Sequence, residues 1–190
     1  SVRGSLNLHT GLVTEDGARR LSELAEVVSF DFIGDNDTIR EVYGLQATVD
    51  DYLAAYRALA VHVSVVPHIC IGIKAGLIKS EYTALELLKS EAVEAISFII
   101  FRPTAGTVYG NCEPPPVDQV ARVLAVARLM YPRTPLYLGC MRPGGRYREI
   151  IDTFALQAGV NKIVLPSPKA RQKAIDLNLQ ISIAEECCSL

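Results

Sequence analysis

The sequence predicts an α/β fold built from six parallel βα units. Six short apolar segments rich in Val, Ile, Phe and Leu recur along the chain, and a segment with helical spacing of apolar residues follows each one. Strict alternation of strand and helix is typical of parallel sheets with right-handed crossovers. Six units are two fewer than a closed (β/α)8 barrel contains. We therefore expect a partial TIM-type barrel, with an open doubly wound sheet as the alternative.

The predicted elements alternate along one domain of residues 1–190, with a tail at residues 180–190. The six predicted strands cover residues 6–11, 27–34, 61–72, 95–103, 136–140 and 162–166. The predicted helical segments cover residues 14–25, 38–44, 48–59, 80–91, 116–131, 148–159 and 167–179. The tail is interpreted as a short strand with a few residues after it.

Residues at the predicted helix starts support these boundaries. Thr14 and Thr48 can each cap a helix, and acidic residues follow both of them in the first helical turn. Pro116 and Pro168 suit the first position of a helix, where no backbone N–H is needed. The GDNDT segment at residues 34–38 is predicted to be a loop.

The third predicted strand, at residues 61–72, is the most informative segment of the chain. It is an apolar run rich in Val and Ile with no helical period, which is typical of a strand buried on both faces of a parallel sheet. His68 and Cys70 lie near its carboxyl end, where parallel α/β folds gather their functional groups. His62, at its start, is interpreted as exposed.

The composition and the absence of certain motifs argue against several classes of function. The 190 residues carry a net charge of -2 without a basic run, which favours neither a nucleic acid nor an anionic membrane as a partner. No apolar stretch is long enough to span a bilayer, and no signal peptide is visible. No GxGxxG, P-loop or nucleophile-elbow motif follows any predicted strand. We expect a cytoplasmic protein that binds a small-molecule substrate.

Polar residues cluster where the predicted strands end, which points to one shared binding site. Each of them alone could be a hydrogen-bonded structural residue, but their common end of the sheet favours a site. Asp31 and His68 lie on consecutive strands and could share a proton or a ligand, or form a structural hydrogen bond. The predicted substrate-binding residues are Asn7, His9, Ser29, Asp31, His68, Arg102 and Arg142.

The five cysteines do not form a disulfide framework or a local metal motif. Cys70, Cys140, Cys187 and Cys188 are candidate metal or cluster ligands, the last two as a vicinal pair in the tail. Buried cysteine is also a common small hydrophobic residue, so a packing role is the alternative. The remaining one, Cys112, lies in a long segment between a strand and a helix, and long segments of this kind are often functional.

The order of motifs resembles the later part of biotin-synthase-like radical S-adenosylmethionine proteins, and most of all their archaeal-type homologs. EVYG at residues 41–44 resembles the family's E-F-Y-G segment, and PHICIGIKAG at 67–76 stands where the family has a glycine-rich motif. The run from VARLMYP to AGVNKI resembles the family's C-terminal barrel region. Lipoyl-synthase-like proteins are a related possibility.

The resemblance implies strands three to eight of a radical-enzyme barrel, and a complete enzyme that uses S-adenosylmethionine and an iron–sulfur cluster. The sequence contains no CxxxCxxC motif for that cluster, and Ala47 stands where the family often has an arginine. The acid of the glycine-rich motif corresponds to Glu81, which follows Ser80. We assign no cofactor to this chain alone and do not expect it to be catalytically complete.

Three readings remain open at this point. The first is a substrate-half fragment or split subunit of a radical enzyme, partnered by a complementary N-terminal segment or by a second copy. The second is a stand-alone protein derived from the same fold that binds a small molecule without radical chemistry. The third is an unrelated α/β enzyme. The sequence does not identify the substrate.

Overall fold

Six parallel strands form one sheet in which each strand pairs with its sequence neighbours, which confirms the predicted fold class. The structure is a computed structural model that describes residues 5–186 and 189. The strands are β1 (Asn7–Thr10), β2 (Val27–Asp31), β3 (Ser64–Ile71), β4 (Ile96–Ile100), β5 (Leu136–Leu138) and β6 (Lys162–Ile163).

Helices connect successive strands and cover one face of the sheet. Two of them, α2 and α3, lie between β2 and β3, and one helix follows each of the other strands. The helices are α1 (Glu15–Ser22), α2 (Asn36–Tyr43), α3 (Val49–His62), α4 (Glu81–Leu88), α5 (Val117–Met130), α6 (Gly145–Gln157) and α7 (Pro168–Asp176).

Several boundaries differ from those predicted, and α6 begins at Gly145 rather than at residue 148. Residues 34–38 are not all loop, because the Asp35 side chain accepts from the Thr38 backbone N–H (2.9 Å) and caps α2 one residue before Asn36. Val61 and His62 belong to α3 rather than to a strand, and His62 pairs with Glu15 at 2.6 Å. Residues 180–186 contain no strand.

The core lies between the sheet and the helices. Alternate strand residues point to the helical side, where Phe30 packs against the rings of Tyr52 and Tyr56, with centroids 5.9 and 6.4 Å apart. Ile69 and Phe98, which are register partners on β3 and β4, are almost fully buried on the same side. This apolar layer leaves the intervening residues of each strand to form the opposite, inner face of the sheet.

The turn after β3 is covered by the segment of residues 101–116 that joins β4 to α5. A Cβ added to Gly72 would lie 2.7 Å from Pro115 Cγ, and one added to Gly76 would lie 2.3 Å from the carbonyl oxygen of Glu113. The buried Glu81 carboxylate holds the turn from below by accepting from Gly72 N–H (2.6 Å) and Lys79 N–H (2.7 Å). Close packing of Gly72 against the Pro115 ring and of Gly76 against the Glu113 backbone therefore holds the segment over the turn.

Among the described residues, no helix combines the length and the apolar character that crossing a bilayer demands.

Replacing Gly76 by alanine should separate the cost of backbone contact from the cost of backbone conformation. Gly76 (φ 85°) and Gly44 (φ 65°) are both left-handed, but a Cβ on Gly44 meets nothing within 4 Å. We expect Gly44→Ala to lower the free energy of unfolding by about 1–2 kcal/mol, which is the left-handed penalty alone. Gly76→Ala should cost clearly more in urea titrations, and equal costs would contradict the close packing described here.

Candidate functional site

The inner face of the sheet carries a row of five polar side chains, one on each strand from β2 to β6. Asp31 pairs in register with His68, His68 with Ser97, Ser97 with Tyr137 and Tyr137 with Lys162. Register partners in a parallel sheet project to the same side, so these five residues share the inner face. We call this set the polar row: Asp31, His68, Ser97, Tyr137 and Lys162.

Two histidines and a carboxylate lie together at one end of the polar row. The rings of His9 and His68 meet edge to face, with centroids 5.4 Å apart, and the Asp31 charge acts on both. The His68 Nδ1–H donates to the Val66 carbonyl oxygen at 3.0 Å, because a carbonyl can only accept. In the neutral ring the lone pair is then on Nε2.

Burial keeps this histidine pair uncharged near neutral pH. His68 is 2% exposed, and its burial lowers its pKa against the opposing effects of the Val66 hydrogen bond and the Asp31 charge. His9 lies at the exposed sheet edge, but partial desolvation and then the neighbouring His68 lower its pKa as well. The two imidazoles therefore offer a neutral donor and acceptor surface beside a carboxylate.

A second layer of polar groups lies one step toward the start of the strands. Ser29 is register partner of His9, and its hydroxyl donates to Asn7 Oδ1 at 3.0 Å. The same hydroxyl lies 2.8 Å from the Ser189 hydroxyl, which belongs to the C-terminal part of the chain. Asn7 and Ser29, both predicted to bind substrate, are thus hydrogen-bonded to other residues of the chain.

On the inner face, Ser97 has a buried hydroxyl whose hydrogen bonding is not satisfied by the described residues. Its side chain is fully buried, and its hydroxyl has no hydrogen-bond partner among the residues that the structure describes. A Cβ on Gly139 would lie 2.8 Å from Ile99 Cγ2 and 3.4 Å from Ser97 Oγ, so glycine keeps the space beside this hydroxyl open. Buried hydroxyls are rarely left without a partner.

The other end of the polar row carries its positive charge. Lys162 Nζ lies 5.6 Å from the centroid of the Tyr137 ring, a cation–π contact. Burial raises the pKa of Tyr137, which keeps its phenol protonated. Among the inner-face residues of the six strands, Lys162 is the one cationic side chain and Asp31 the one carboxylate.

Sequence reasoning did not find Ser97, Tyr137 or Lys162, because it considered only the residues that end each strand. Asp31 ends β2, whereas Ser97 is the second residue of β4 and Lys162 the first residue of β6. The row therefore moves toward the strand starts along the sheet, as the stagger of a barrel requires. Counting inward-facing positions from His68 would have found them if the register had been known.

Arg142 lies in a structural ion pair rather than on the inner face. Its side chain and that of Asp152 are both 0% exposed, with Nε to Oδ1 at 2.7 Å. The guanidinium also donates to the carbonyl oxygens of Gly139 and Val164, and Asp152 accepts from the Ser167 N–H at 2.8 Å. These contacts tie β5 and β6 to α6 and the start of α7, so the arginine has its partners within the fold.

Arg102, by contrast, is exposed just beyond β4, and its guanidinium makes no hydrogen bond or ion pair with a described residue. It lies outside the polar row but at the same carboxyl edge of the sheet as Asp31. Its predicted role in substrate binding stays a prediction.

The cysteines with described positions do not form a metal site. Cys70 lies on the inner face of β3, where burial and the nearby charges of Asp31 and Glu81 raise its pKa and so keep the thiol protonated. Cys140 is exposed after β5, and Cys112 is half-buried. Across the described residues, no three His, Cys, Asp or Glu side chains lie close enough to hold a metal ion. Cys187 and Cys188 lie outside the described residues.

A charged cluster that the sequence did not reveal joins three segments at the carboxyl edge of the sheet. Glu41 on α2 accepts from the Tyr109 hydroxyl at 2.6 Å and pairs with Lys74 Nζ at 2.9 Å. Tyr109 in turn meets the Phe101 ring edge to face, 6.1 Å between centroids. The EVYG segment thus anchors the segment of residues 101–116.

Two surface grooves, of about 530 and 750 Å3, lie away from the polar row. One runs beside α3 and the end of α4 at Tyr56, Arg57 and Glu91, and the other lies between α1 and α3 at Leu12 and Asp51. Neither contains a residue of the polar row. The polar row is defined by the register of the strands.

Comparison with known proteins finds a similar sequence and two structures with the same fold. No family model matches the chain. A biotin synthase of Ruthia magnifica subsp. Calyptogena magnifica is 27% identical over 159 residues, covering 80% of this chain and 48% of that protein. The chain therefore spans about half the length of the curated relative that it matches.

Two solved structures share the fold. Methylornithine synthase (PylB) superposes with a TM-score of 0.65 at 16% identity, over 94% of this chain and 59% of that one. HydG, a maturase of the [FeFe]-hydrogenase, superposes with a TM-score of 0.63 at 15% identity, over 84% of this chain and 37% of that one. The chain therefore has the architecture of a partial TIM-type barrel.

Removing the Arg142 side chain should lower the stability of the fold, because the buried Asp152 carboxylate then loses the cation that pairs with it. We expect Arg142→Met to lower the free energy of unfolding by about 3–5 kcal/mol, measured in urea. The matched control is Arg19→Met, which breaks a solvent-exposed pair with Asp16 and should change stability by less than about 1 kcal/mol. Similar costs for both variants would contradict the structural role of Arg142.

The His68 ring should titrate below the usual histidine value of 6.5 when followed by NMR. Because its pKa is lower in the folded chain than in the unfolded one, stability is full above pH 6.5 and declines as the pH falls through 6.5 toward the folded pKa. His68→Gln should flatten that decline in urea titrations between pH 8 and 5. A His68 midpoint at or above 6.5 would show that burial does not govern this ring.

Proposed function

We propose that this chain is the substrate-binding half of a biotin-synthase-like radical S-adenosylmethionine enzyme of the archaeal type. The observation that carries the proposal is the polar row, which lies on the inner face of a partial barrel whose likeness extends to a biotin synthase in sequence and to PylB and HydG in fold. An inner face lined with polar groups over a helix-covered apolar layer is where barrels of this type bind ligands.

The described residues do not fit an iron–sulfur cluster. The cluster needs several thiolates close together, whereas Cys70 is a buried, protonated thiol on β3 and Cys140 is exposed after β5. We therefore assign no step of the chemistry to a cluster held here. In the proposal, a complementary segment with the CxxxCxxC motif holds the cluster and the S-adenosylmethionine, and either a separate subunit or the same polypeptide supplies it.

The contribution of this chain is then to bind and orient a small molecule. Asp31 and the neutral histidine pair offer acceptors and a donor at one end of the polar row, and Lys162 lies at the other end. Between them, Ser97 offers a buried hydroxyl that has no hydrogen-bond partner among the described residues. Groups fixed on strands of a rigid sheet keep their geometry better than groups on loops, which suits control of where a reactive species attacks.

A second candidate function is a stand-alone binding protein that shares the fold without radical chemistry. The observation in its favour is that the sequence has no CxxxCxxC motif, while the polar row needs no cluster to bind a ligand. An unrelated α/β enzyme is the weakest reading, because the likeness to a biotin synthase covers 80% of the chain.

The half enzyme and the stand-alone binding protein differ in whether the chain associates with a segment that carries CxxxCxxC. Alone, after anaerobic incubation with iron and sulfide and addition of dithionite and S-adenosylmethionine, the chain should give no more 5′-deoxyadenosine than a control protein. Mixed with the first two βα units of a biotin-synthase-like protein that carries CxxxCxxC, it should form a complex and restore cleavage.

Formation of 5′-deoxyadenosine by the chain alone would contradict the proposal that it is a half enzyme. Failure to bind any such segment, together with a reading frame that encodes no CxxxCxxC motif, would favour the stand-alone binding protein. The matched control is the same segment with its three motif cysteines replaced by serine, which should form the complex without cleavage.

A further inference from the structure

The chain returns to the inner face of the sheet after α7. Ser189 is only 7% exposed, and its hydroxyl lies 2.8 Å from the Ser29 hydroxyl on β2. The Ser29 hydroxyl in turn donates to Asn7 Oδ1 on β1 at 3.0 Å. Asn7 and Ser29 are both predicted to bind substrate, so the chain itself fills part of the predicted binding site. We call residues 180–186 the strap and Ser189 its anchor.

The direction of these hydrogen bonds defines what the anchor supplies. A serine hydroxyl has one proton, and the proton of Ser29 is donated to Asn7. The hydrogen bond between the two serines therefore runs from the Ser189 hydroxyl to Ser29 Oγ. Buried polar groups are rarely left without a partner. A molecule that replaces Ser189 at this position therefore needs a donor, which is a hydroxyl or an amino group.

The strap that carries the anchor is weakly held. All residues from 175 to 186 are exposed, and the strap forms no hydrogen bond or ion pair with any other described residue. Its apolar side chains lie in water, with Ile181 53% and Ile183 84% exposed. A segment with so few contacts opens locally at little cost in free energy. The anchor can therefore leave Ser29 while the six strands keep their register.

From the contrast between a buried anchor and an exposed strap, we infer that Ser189 is a removable cover of the inner face at Asn7 and Ser29. In the free chain the anchor closes this part of the face, and a ligand with a hydroxyl or amino group takes the place of the Ser189 hydroxyl. The apparent affinity for that ligand is then reduced by the fraction of chains in which the cover is open. The inference rests on the proposed function, because it describes how access to the binding face of the substrate half is controlled.

The first test asks whether the anchor meets the sheet in solution. It uses the full chain with Ser29→Cys and Ser189→Cys, in which the neighbouring pair of cysteines is replaced by serine so that neither thiol competes. Because the two hydroxyl oxygens lie 2.8 Å apart, the substituted sulfur atoms are within reach of a disulfide. Mild oxidation should link the tryptic peptides of residues 21–40 and 174–190. Ser182→Cys in place of Ser189→Cys is the control and should give at least tenfold less of the linked product.

The second test measures how well the anchor shields the inner face. Ser29→Cys is introduced into the otherwise unaltered full chain, and its reaction with iodoacetamide is followed in the peptide of residues 21–40, which contains no other cysteine. We expect position 29 to react slowly. Adding Ser189→Glu should raise the rate at least tenfold, because a carboxylate is not tolerated beside a buried hydroxyl that has no charged partner. Ser189→Gly removes the hydroxyl without adding bulk and should raise the rate several-fold.

The matched control is Ser182→Glu, which adds the same charge at an exposed position of the strap and should leave the rate at position 29 unchanged. We expect the urea midpoints of all these variants to stay close to that of the unaltered chain, since the strap contributes little to the core. If no disulfide joins residues 29 and 189, or if neither Ser189→Glu nor Ser189→Gly raises the rate, the inference is wrong.

These measurements need neither a cluster nor a partner segment. Their failure is therefore distinct from the failure of the half-enzyme proposal, which is measured by complex formation and 5′-deoxyadenosine.

Discussion

The parallel register of the six strands is the constraint on which the rest of the structure depends. Register decides that Phe30, Ile69 and Phe98 face the helices, while Asp31, His68 and Ser97 face the other way. A shift of one residue in any strand would exchange these sets and bury charge in the apolar layer. Packing of the helices against the aromatic and aliphatic set therefore fixes the polar set at the same time.

Buried polar contacts reinforce this register at two places beyond the strands. The Arg142–Asp152 pair joins the ends of β5 and β6 to α6, and Glu81 holds the turn after β3 through two backbone N–H groups. Burial raises the pKa of Glu81 while those hydrogen bonds oppose it. Asp152 and Glu81 both accept hydrogen bonds from backbone N–H groups. Their carboxylates therefore stabilise the fold, and a charged residue that stands out in the sequence is not necessarily a ligand.

The relation to known barrels follows from the same architecture. The chain superposes on 59% of PylB and 37% of HydG, and it matches 48% of a biotin synthase. Sheet edges at β1 and β6 are left unpaired among the described strands. Exposed strand edges favour pairing with further strands, which agrees with the proposed association with a complementary segment.

The sequence by itself determined the α/β alternation, the six parallel strands and three helix caps, because these depend on local spacing and on the residues Thr14, Thr48 and Ser167. It also placed Asp31 and His68 on neighbouring strands. Only the tertiary structure showed that Ser97, Tyr137 and Lys162 share the inner face with Asp31 and His68. It also showed that Arg142 pairs with a buried carboxylate. The physical reason is that strand register and barrel stagger arise from packing between distant segments, and local sequence carries no record of either.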